Sequence, residues 1–582
     1  MPTVSLFRTA NWYWGSGQMS RLARAESASV SSATVAPLAN RTFRAVWLAA
    51  QVSSFGWLVQ TVAVSWLMAT ISTSDVMVAL VQTSTTLPIF VLSVFAGAIA
   101  DNFSRRSVLA LGWCVIALSS ITLTALVGLG LNDPWLILAL SCLAGCGAAF
   151  TDPAWHASVG DILRKREVPA AVTLISVGYN AVRSAGPAFG GIIVASFGPL
   201  TAFALSTLTY LVMLAIIMRS NWKGRSSPLP REPLITAIHD GARFTALSGE
   251  IKAAIARGAL FGLTSISILA LLPLIARDQL GGGPVAYGIL MAGFGVGALC
   301  AGISNNTLRR SLSQERLTTL ACIACAACSL ALAFTPSLIV ATIALALGGS
   351  GWVVTWTGLD VSVQLSSPRW VVGRTLSIYS ALSSGGIAVG SWLWGVVAEA
   401  HSLTLALESS GGALLLVAAT GLLLPIRQWK ESDQDSIGFE TPKLALELNS
   451  RSGPIVVKIE YAIPEANVDV FLDQMRERRR VQSRAGARHW NLQRDLQKPL
   501  LWTETFRTPT WMDYLRLNHR LTAADMELDQ RLLELHVGDV PPRMQLAIER
   551  TTGAARKRDQ SASIFSGVDF KTKYDRVTAW RR

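Results

Sequence analysis

The sequence predicts an all-α membrane protein of twelve transmembrane helices, arranged as two six-helix bundles, with an α+β domain attached near its C-terminal end. Three observations lead there. Apolar runs of about 20 residues, the length that crosses a bilayer, recur with short breaks from Phe43 to about Arg427. Of the 582 residues, 51% are hydrophobic and only 15% are charged, against roughly a quarter charged in soluble proteins. Beyond Arg427 the text changes to short alternating and helical segments rich in charge.

The elements follow in order. Residues 1–42 are Ser/Ala/Arg-rich without a continuous apolar core; they read as a disordered cytoplasmic tail and not as a signal peptide. The phrase MSRLARAES makes Met19 a second candidate start. Residues 43–219 are expected to form the first bundle, with spans near 44–70, 76–100, 107–130, 134–158, 170–197 and 200–219. The polar segment 220–254, with Lys223, Arg225, Arg231 and Arg243, reads as a central cytoplasmic loop. Residues 255–426 form the second bundle, with spans near 255–276, 284–304, 317–335, 337–363, 374–399 and 403–426. A linker, 427–450, leads to a soluble α+β domain over 451–550. Residues 551–582 are charged, poor in apolar side chains and expected to be disordered.

The net charge of +14 would suit a nucleic-acid partner, but its distribution explains it otherwise. Breaks after spans two, four, eight and ten hold Arg105/Arg106, Arg164/Lys165/Arg166, Arg309/Arg310/Arg316 and Arg369/Arg374. The alternate breaks are nearly free of basic residues, with Arg277 the lone exception. Positive loops stay cytoplasmic, which makes this a multi-pass protein of the cell inner (plasma) membrane with both termini in the cytoplasm, and removes the case for nucleic acid. The seven cysteines all lie in apolar runs, so no disulfide framework is implied. Cys322, Cys325 and Cys328 form C-x-x-C-x-x-C, yet no histidine or carboxylate stands near to complete a metal shell; they read as helix packing.

Two sets of six spans suggest an internal duplication. AVTLISVGYNAVRSAGPAFGG can be laid over GRTLSIYSALSSGGIAVGSWL, with Thr173-Leu174 on Thr375-Leu376. Opposite Arg183 the second half has Leu382 or a serine, so Arg183 is not shared scaffold. It lies about 20 Å into span five, where an arginine costs at least about 3 kcal/mol on insertion scales. A partner or a watery cavity is therefore required, and Asp152 on span four is the candidate. Arg183 either meets an anionic substrate or holds Asp152 in a proton-linked or static pair. Asn180 lies one turn away on the same face. Gln51, Gln60 and Gln82 would line the cavity or bond between helices, Asp360 holds the corresponding place on span ten, and His156 would titrate near neutral pH. Trp66, Trp352 and Trp356 would stack an aromatic substrate or anchor at the interface.

GAIADNFSRR, Gly97 to Arg106, resembles the signature loop of the major facilitator superfamily, and GPAFGG, Gly186 to Gly191, resembles the span-five motif of its antiporter members. NRTFRAVWLAAQVSSFG, MVALVQTSTTLPIFVLSVFAGAIAD and TDPAWHASVGDIL resemble the transmembrane secretion effector subgroup, to which bacterial enterobactin exporters are similar. The resemblance implies the major facilitator fold, a latch built from Gly97, Asp101, Arg105 and Arg106, and a helix-packing motif of Gly186, Pro187, Gly190 and Gly191. The span-four arginine of the antiporters is absent; Ser141 stands before Gly145-x-Gly147. The tail, VVKIEYAI…WTETFRTPTWMDYLRLNHR, reads strand–helix–strand–strand–helix and resembles ferredoxin-like domains that pair into barrels. Some of those are monooxygenases, and His489, Trp490 and His519 are the residues to suspect in that case; packing, regulation or self-association is the plainer role.

The expected function is export of a siderophore- or drug-like small molecule by alternating access, coupled to protons, with membrane lipids around it. No phosphate-binding G-x-x-x-x-G-K-[ST] loop occurs, and neither cofactor nor metal nor enzymatic activity is expected. Import of an anionic metabolite, or a membrane-tethered monooxygenase, are the alternatives.

Overall fold

The computed structural model describes residues 36–164, 167–222, 234–368, 371–425, 442, 444–538 and 541–550. The N-terminal tail up to residue 35, Lys165, Arg166, Arg369, residues 223–233, nearly all of the linker and the last 32 residues read from the sequence lie outside them.

Helices occupy the apolar runs: α1 (Arg41–Ile71), α2 (Asp75–Asn102), α3 (Arg105–Gly128), α4 (Pro134–Ile162), α5 (Val168–Arg219), α6 (Leu234–Leu247), α7 (Gly249–Ser265), α8 (Pro284–Ser311), α9 (Gln314–Phe334), α10 (Leu338–Leu365), α11 (Val372–Ala400) and α12 (Leu403–Ala419). Five of them start at a side-chain cap. Asn40 accepts from the Thr42 and Phe43 amides, Ser104 from Ser107, Asp133 from Leu136 ahead of Pro134, Ser313 from Arg316 and Ser402 from Leu405. Among the described residues, eleven helical stretches are long and apolar enough to cross a membrane. One of them, α5, has 52 residues and leaves helical geometry at Gly198 (φ 80°, ψ 168°), a left-handed conformation that glycine adopts without strain. The spanning stretch that begins with α7 continues past Ser265 as short pieces, Ser267–Ala270 and Leu272–Leu274, and ends in a π-turn, Ile275–Gln279.

The segment 220–254, read as a loop, contains α6. Its apolar residues are spaced on one face among Asp240 and Arg243, so a search for uninterrupted apolar runs passes over it. Phe244 is buried against Ile251, Ile255 and Tyr379.

Small residues let the helices touch. A Cβ on Gly297 would lie 1.7 Å from the Ala346 carbonyl oxygen, and one on Gly349 would lie 2.1 Å from that of Phe294. Outside, Phe95, Leu111, Phe197, Ile303, Ile339 and Leu416 are exposed, as the hydrocarbon of a bilayer requires.

Each bundle is also tied by buried hydroxyls. In the first, Ser120 on α3 donates to Gln60 Oε1 on α1 at 2.9 Å and pairs with Thr207 on α5 at 2.7 Å. In the second, Ser267 donates to Ser410 on α12 at 2.7 Å, and Ser410 pairs with Ser329 on α9 at 2.8 Å. The first knot thus joins α1, α3 and α5, and the second joins the stretch that follows α7 to α9 and α12.

The chain divides into two compact units, Met1–Gly438 with His519–Leu528, and Phe439–Asn518 with Asp529–Arg582. The second holds β1 (Ile455–Ala462), α13 (Val468–Ala485), β2 (Arg488–Arg494), β3 (Leu501–Thr508) and β4 (Arg543–Ile548). Between β3 and β4 the chain forms α14 (Trp511–His519) and α15 (Ala523–Leu535). The sheet is antiparallel in the order β2-β3-β1-β4, with Ile455 opposite Thr508 on β3 and Ile548 on β4. Strand β4 was not anticipated; its six residues, RMQLAI, carry too short an alternation. Inside, Arg478 on α13 donates to Glu504 at 2.7 Å and pairs with Asp529, while Tyr461 and Trp490 donate to the same carboxylate at 3.1 and 2.7 Å. Burial opposes the Arg478 charge, but Glu504, Tyr461 and Asp529 outweigh it and hold the guanidinium pKa above its ordinary value.

Two consequences are measurable. Ser410→Ala breaks the second knot and should lower unfolding stability in detergent by about 1 kcal/mol. Glu504→Ala strands the buried Arg478 and should cost about 3–5 kcal/mol, read in the intact chain as new protease cleavage within 451–550 while the spanning helices stay protected.

Candidate functional site

The two bundles meet along a seam formed by α2 with α11 and by the first part of α5 with α8. Close approach makes it. A Cβ on Gly191 would sit 2.2 Å from the Gly288 Cα, and one on Gly395 would sit 2.7 Å from the Ala79 Cβ. Thr83 donates to the Ala388 carbonyl at 2.9 Å and Ser93 to that of Ser377 at 3.2 Å. Trp66 on α1 stacks on Tyr287 on α8, ring centres 5.8 Å apart.

The antiporter-like motif divides its work. Gly186 and Gly190 face Leu58 and Val59 of α1 within the first bundle, and Gly191 faces the second. Pro187 is buried, but the backbone departs from helical geometry at Gly198, not at Pro187; the helix absorbs Pro187 without a break.

Ionisable side chains stand inside the spans of both bundles. Asp152 and His156 lie four residues apart on α4, on one face, and both are exposed within the span. Asp360 on α10 of the other bundle is exposed too. His156 lies within electrostatic range of both carboxylates, so ionisable groups from two bundles come together there. By helical rise they lie about 15, 9 and 8 Å from the ends of their helices, at the end where α2 turns into α3, called the basic end below.

The expected partnership of Arg183 with Asp152 is not formed. Arg183 is half-buried, and no ion pair joins the two among the described residues; His156, on the same helix as Asp152, lies within its electrostatic range. Gln51 packs on Gly178, whose Cβ would lie 2.7 Å from its amide carbon, and its Oε1 is buried without a partner among the described residues. Gln82 is half-buried on α2, and the buried Gln60 serves the first knot. Asn180, Gly97 and Asp101 lie on helices, but their side chains fall outside the described residues. Arg105 pairs with Asp161 of α4 at 2.8 Å, and Arg106 donates to the Ile217 and Met218 carbonyls that end α5; both arginines reach within their own bundle. Trp352 and Trp356 are neither interfacial anchors nor open faces: they pack with Phe261 at 5.8 and 5.6 Å inside the second bundle.

Three charged residues escaped the sequence reading of function. Arg257 on α7 is fully buried and holds both Glu315 oxygens at 2.7 Å; its place just inside a span was the signal. Glu399 and Arg277 reach from the second bundle to the first at the end opposite the basic one. Arg277 had been visible as the exception to the charge rule. Among the described residues no group of three His, Cys, Asp or Glu side chains is placed to hold a metal.

A chain of two helical bundles crossing the membrane, with polar groups at their seam, is the architecture of a secondary transporter. Solved transporters share the fold. A bacterial homologue of the human lysosomal transporter Spinster, in an inward-facing and occupied conformation, matches with a TM-score of 0.54 at 14% identity, over 67% of this chain and 97% of that one. The peptide-transporter-family member PepTSo matches with a TM-score of 0.54 at 13% identity, over 66% and 97%. Residues 32–552 match the transmembrane secretion effector family, and the chain belongs to that family of major facilitator transporters. Relatives include the enterobactin exporter EntS of Escherichia coli O1:K1, 26% identical over 66% of this chain and 91% of that protein, and the multidrug efflux pump Tap of Mycolicibacterium fortuitum, 24% identical over 60% and 87%. The protein is a multi-pass membrane transporter and not an enzyme.

The seam contact can be tested. Gly191→Ala places a methyl group against the Gly288 backbone and should cost about 1–3 kcal/mol of stability in detergent. Gly412→Ala, whose Cβ would meet nothing within 4 Å, should be neutral or stabilising.

Proposed function

We propose that this transporter exports a small molecule of siderophore or drug type by alternating access, driven by proton antiport. The observation carrying the proposal is the trio Asp152, His156 and Asp360: titratable groups from both bundles, exposed inside a membrane-spanning unit, where ionisable residues mark substrate or proton routes. The export direction draws on the printed functions of EntS and Tap.

In this reading α5 crosses twice, turning at Gly198-Pro199, to give twelve spans, and the basic loops put both termini in the cytoplasm of a bacterial-type inner membrane. Arg183, with Asn180, Gln51 and Gln82, adds polar lining to the substrate and proton pathway with Asp152 and Asp360. Half-buried and unpaired with Asp152, Arg183 is available to an anionic group of the substrate. Gly97, Asp101, Arg105 and Arg106 act as the latch of the basic end, and Gly186, Pro187, Gly190 and Gly191 as the packing strip of α5. The sheet order β2-β3-β1-β4 with intervening helices supports a ferredoxin-like domain, through which two chains would associate. Trp490 is committed to the buried Glu504 network, which weighs against a catalytic role there.

Efflux-deficient bacteria expressing the intact chain should accumulate less of at least one compound among siderophores, macrolides and lipophilic cations. The difference should vanish with a protonophore and with Arg183→Ala at matched membrane level. Energy-dependent gain of a compound would instead establish import.

A further inference from the structure

Arg277 stands alone against the charge pattern: a basic side chain at the end where the other loops have almost none. Its surroundings give it work. It ends the broken stretch after α7, in the π-turn Ile275–Gln279, and crosses the seam to the end of α1. There it donates to the Ala69 carbonyl and, at 3.5 Å, to that of Ser72, and it lies 3.8 Å from the Asp75 carboxylate. Asp278 orients the guanidinium through two bonds of 2.6 and 2.8 Å. Two residues on, Gln279 caps α9 of its own bundle at the Leu332 and Thr335 carbonyls, 2.7 and 2.9 Å away. One turn thus holds a helix end in each bundle.

A second contact has the opposite sign. Glu399, near the end of α11, accepts from the Ser74 hydroxyl and from the Val76 amide at 2.9 Å, at the start of α2. The last carbonyls of a helix carry partial negative charge and its first amides partial positive charge. The three-residue turn between α1 and α2 is therefore gripped on its carbonyl side by a guanidinium and on its amide side by a carboxylate, both from the other bundle. Such bonds to charged groups are the stronger kind. At the basic end the ion pairs Arg105–Asp161 and Arg257–Glu315 each stay inside one bundle.

We propose that Arg277 and Glu399 form a two-sign clamp on the Ser72–Ser74 turn, that the clamp holds the bundles closed at the end opposite the basic loops, and that its release is a step of the transport cycle. The inference rests on the alternating-access reading. It adds a specific device at the end where the family-type motif, Gly97 to Arg106, is not.

The test is hydrogen–deuterium exchange by mass spectrometry on the full chain in lipid nanodiscs, comparing the parent with Arg277→Ala and Glu399→Gln. Loss of a bond to a charged group should speed exchange over 66–80 and 272–283 roughly tenfold. If the clamp sets the conformational balance, exchange over 150–162 and 358–368, at the other end, falls in the same samples as that end closes. Glu399→Gln keeps the side-chain shape, so it decides the matter should Arg277→Ala fail to fold. Faster exchange near the clamp without the reciprocal fall would mean frayed helix caps only and would overturn the proposal. Unchanged exchange near the clamp would overturn it as well, while leaving alternating access to be judged by the accumulation assay.

Discussion

Gly191 and Gly288 meet backbone to backbone, and much of the molecule follows from how little lies between them. In hydrocarbon no solvent drives helices together, so packing and the few available polar bonds decide association. Where helices of the two bundles run this close, groups from one reach the other, short and long alike. Thr83 and Ser93 bond across to α11 through short hydroxyls, Trp66 lies flat on Tyr287, and the guanidinium of Arg277 reaches the end of α1. A methyl group at either glycine would move all of these contacts together.

The architecture was largely legible, for a reason particular to membranes. A spanning helix must satisfy its own backbone and be apolar for about 20 residues, so length and composition alone locate it. Polar starts such as Asn40, Asp133 and Ser402 then fix where helices begin. One break inside an apolar run was legible: the spans read at 170–197 and 200–219 part at Gly198, where the backbone leaves helical geometry. The pause at Ile266 was not, because it sits in text as hydrophobic as its neighbours and carries neither glycine nor proline. The small strand β4 and the amphipathic α6 were missed because each is short and mixes charge with apolar residues, a pattern shared with loops.

The candidate site was legible by residue type and not by partner. An arginine or aspartate inside an apolar run announces itself by its cost, so Arg183, Asp152 and Asp360 stood out. What each meets depends on helices far apart in sequence. The sequence suggested that Asp152 answers Arg183; the structure puts His156, a turn away on α4, within electrostatic range of Asp152 and of Asp360. Glu399 gave no signal because a carboxylate at the end of a span looks like any boundary charge. Arg277 did give one, as the single violation of an otherwise regular rule.

The hydroxyl knots Gln60–Ser120–Thr207 and Ser267–Ser410–Ser329 have one more property: they carry no net charge. A membrane potential does work of about 2.3 kcal/mol on each elementary charge moved through 100 mV. It has no comparable hold on a serine or an amide. Each bundle's interior fastening is therefore electrically silent, equally firm in an energised or a depolarised membrane. The ionisable residues Asp152, His156 and Asp360 are where voltage can bias one arrangement of the helices over another.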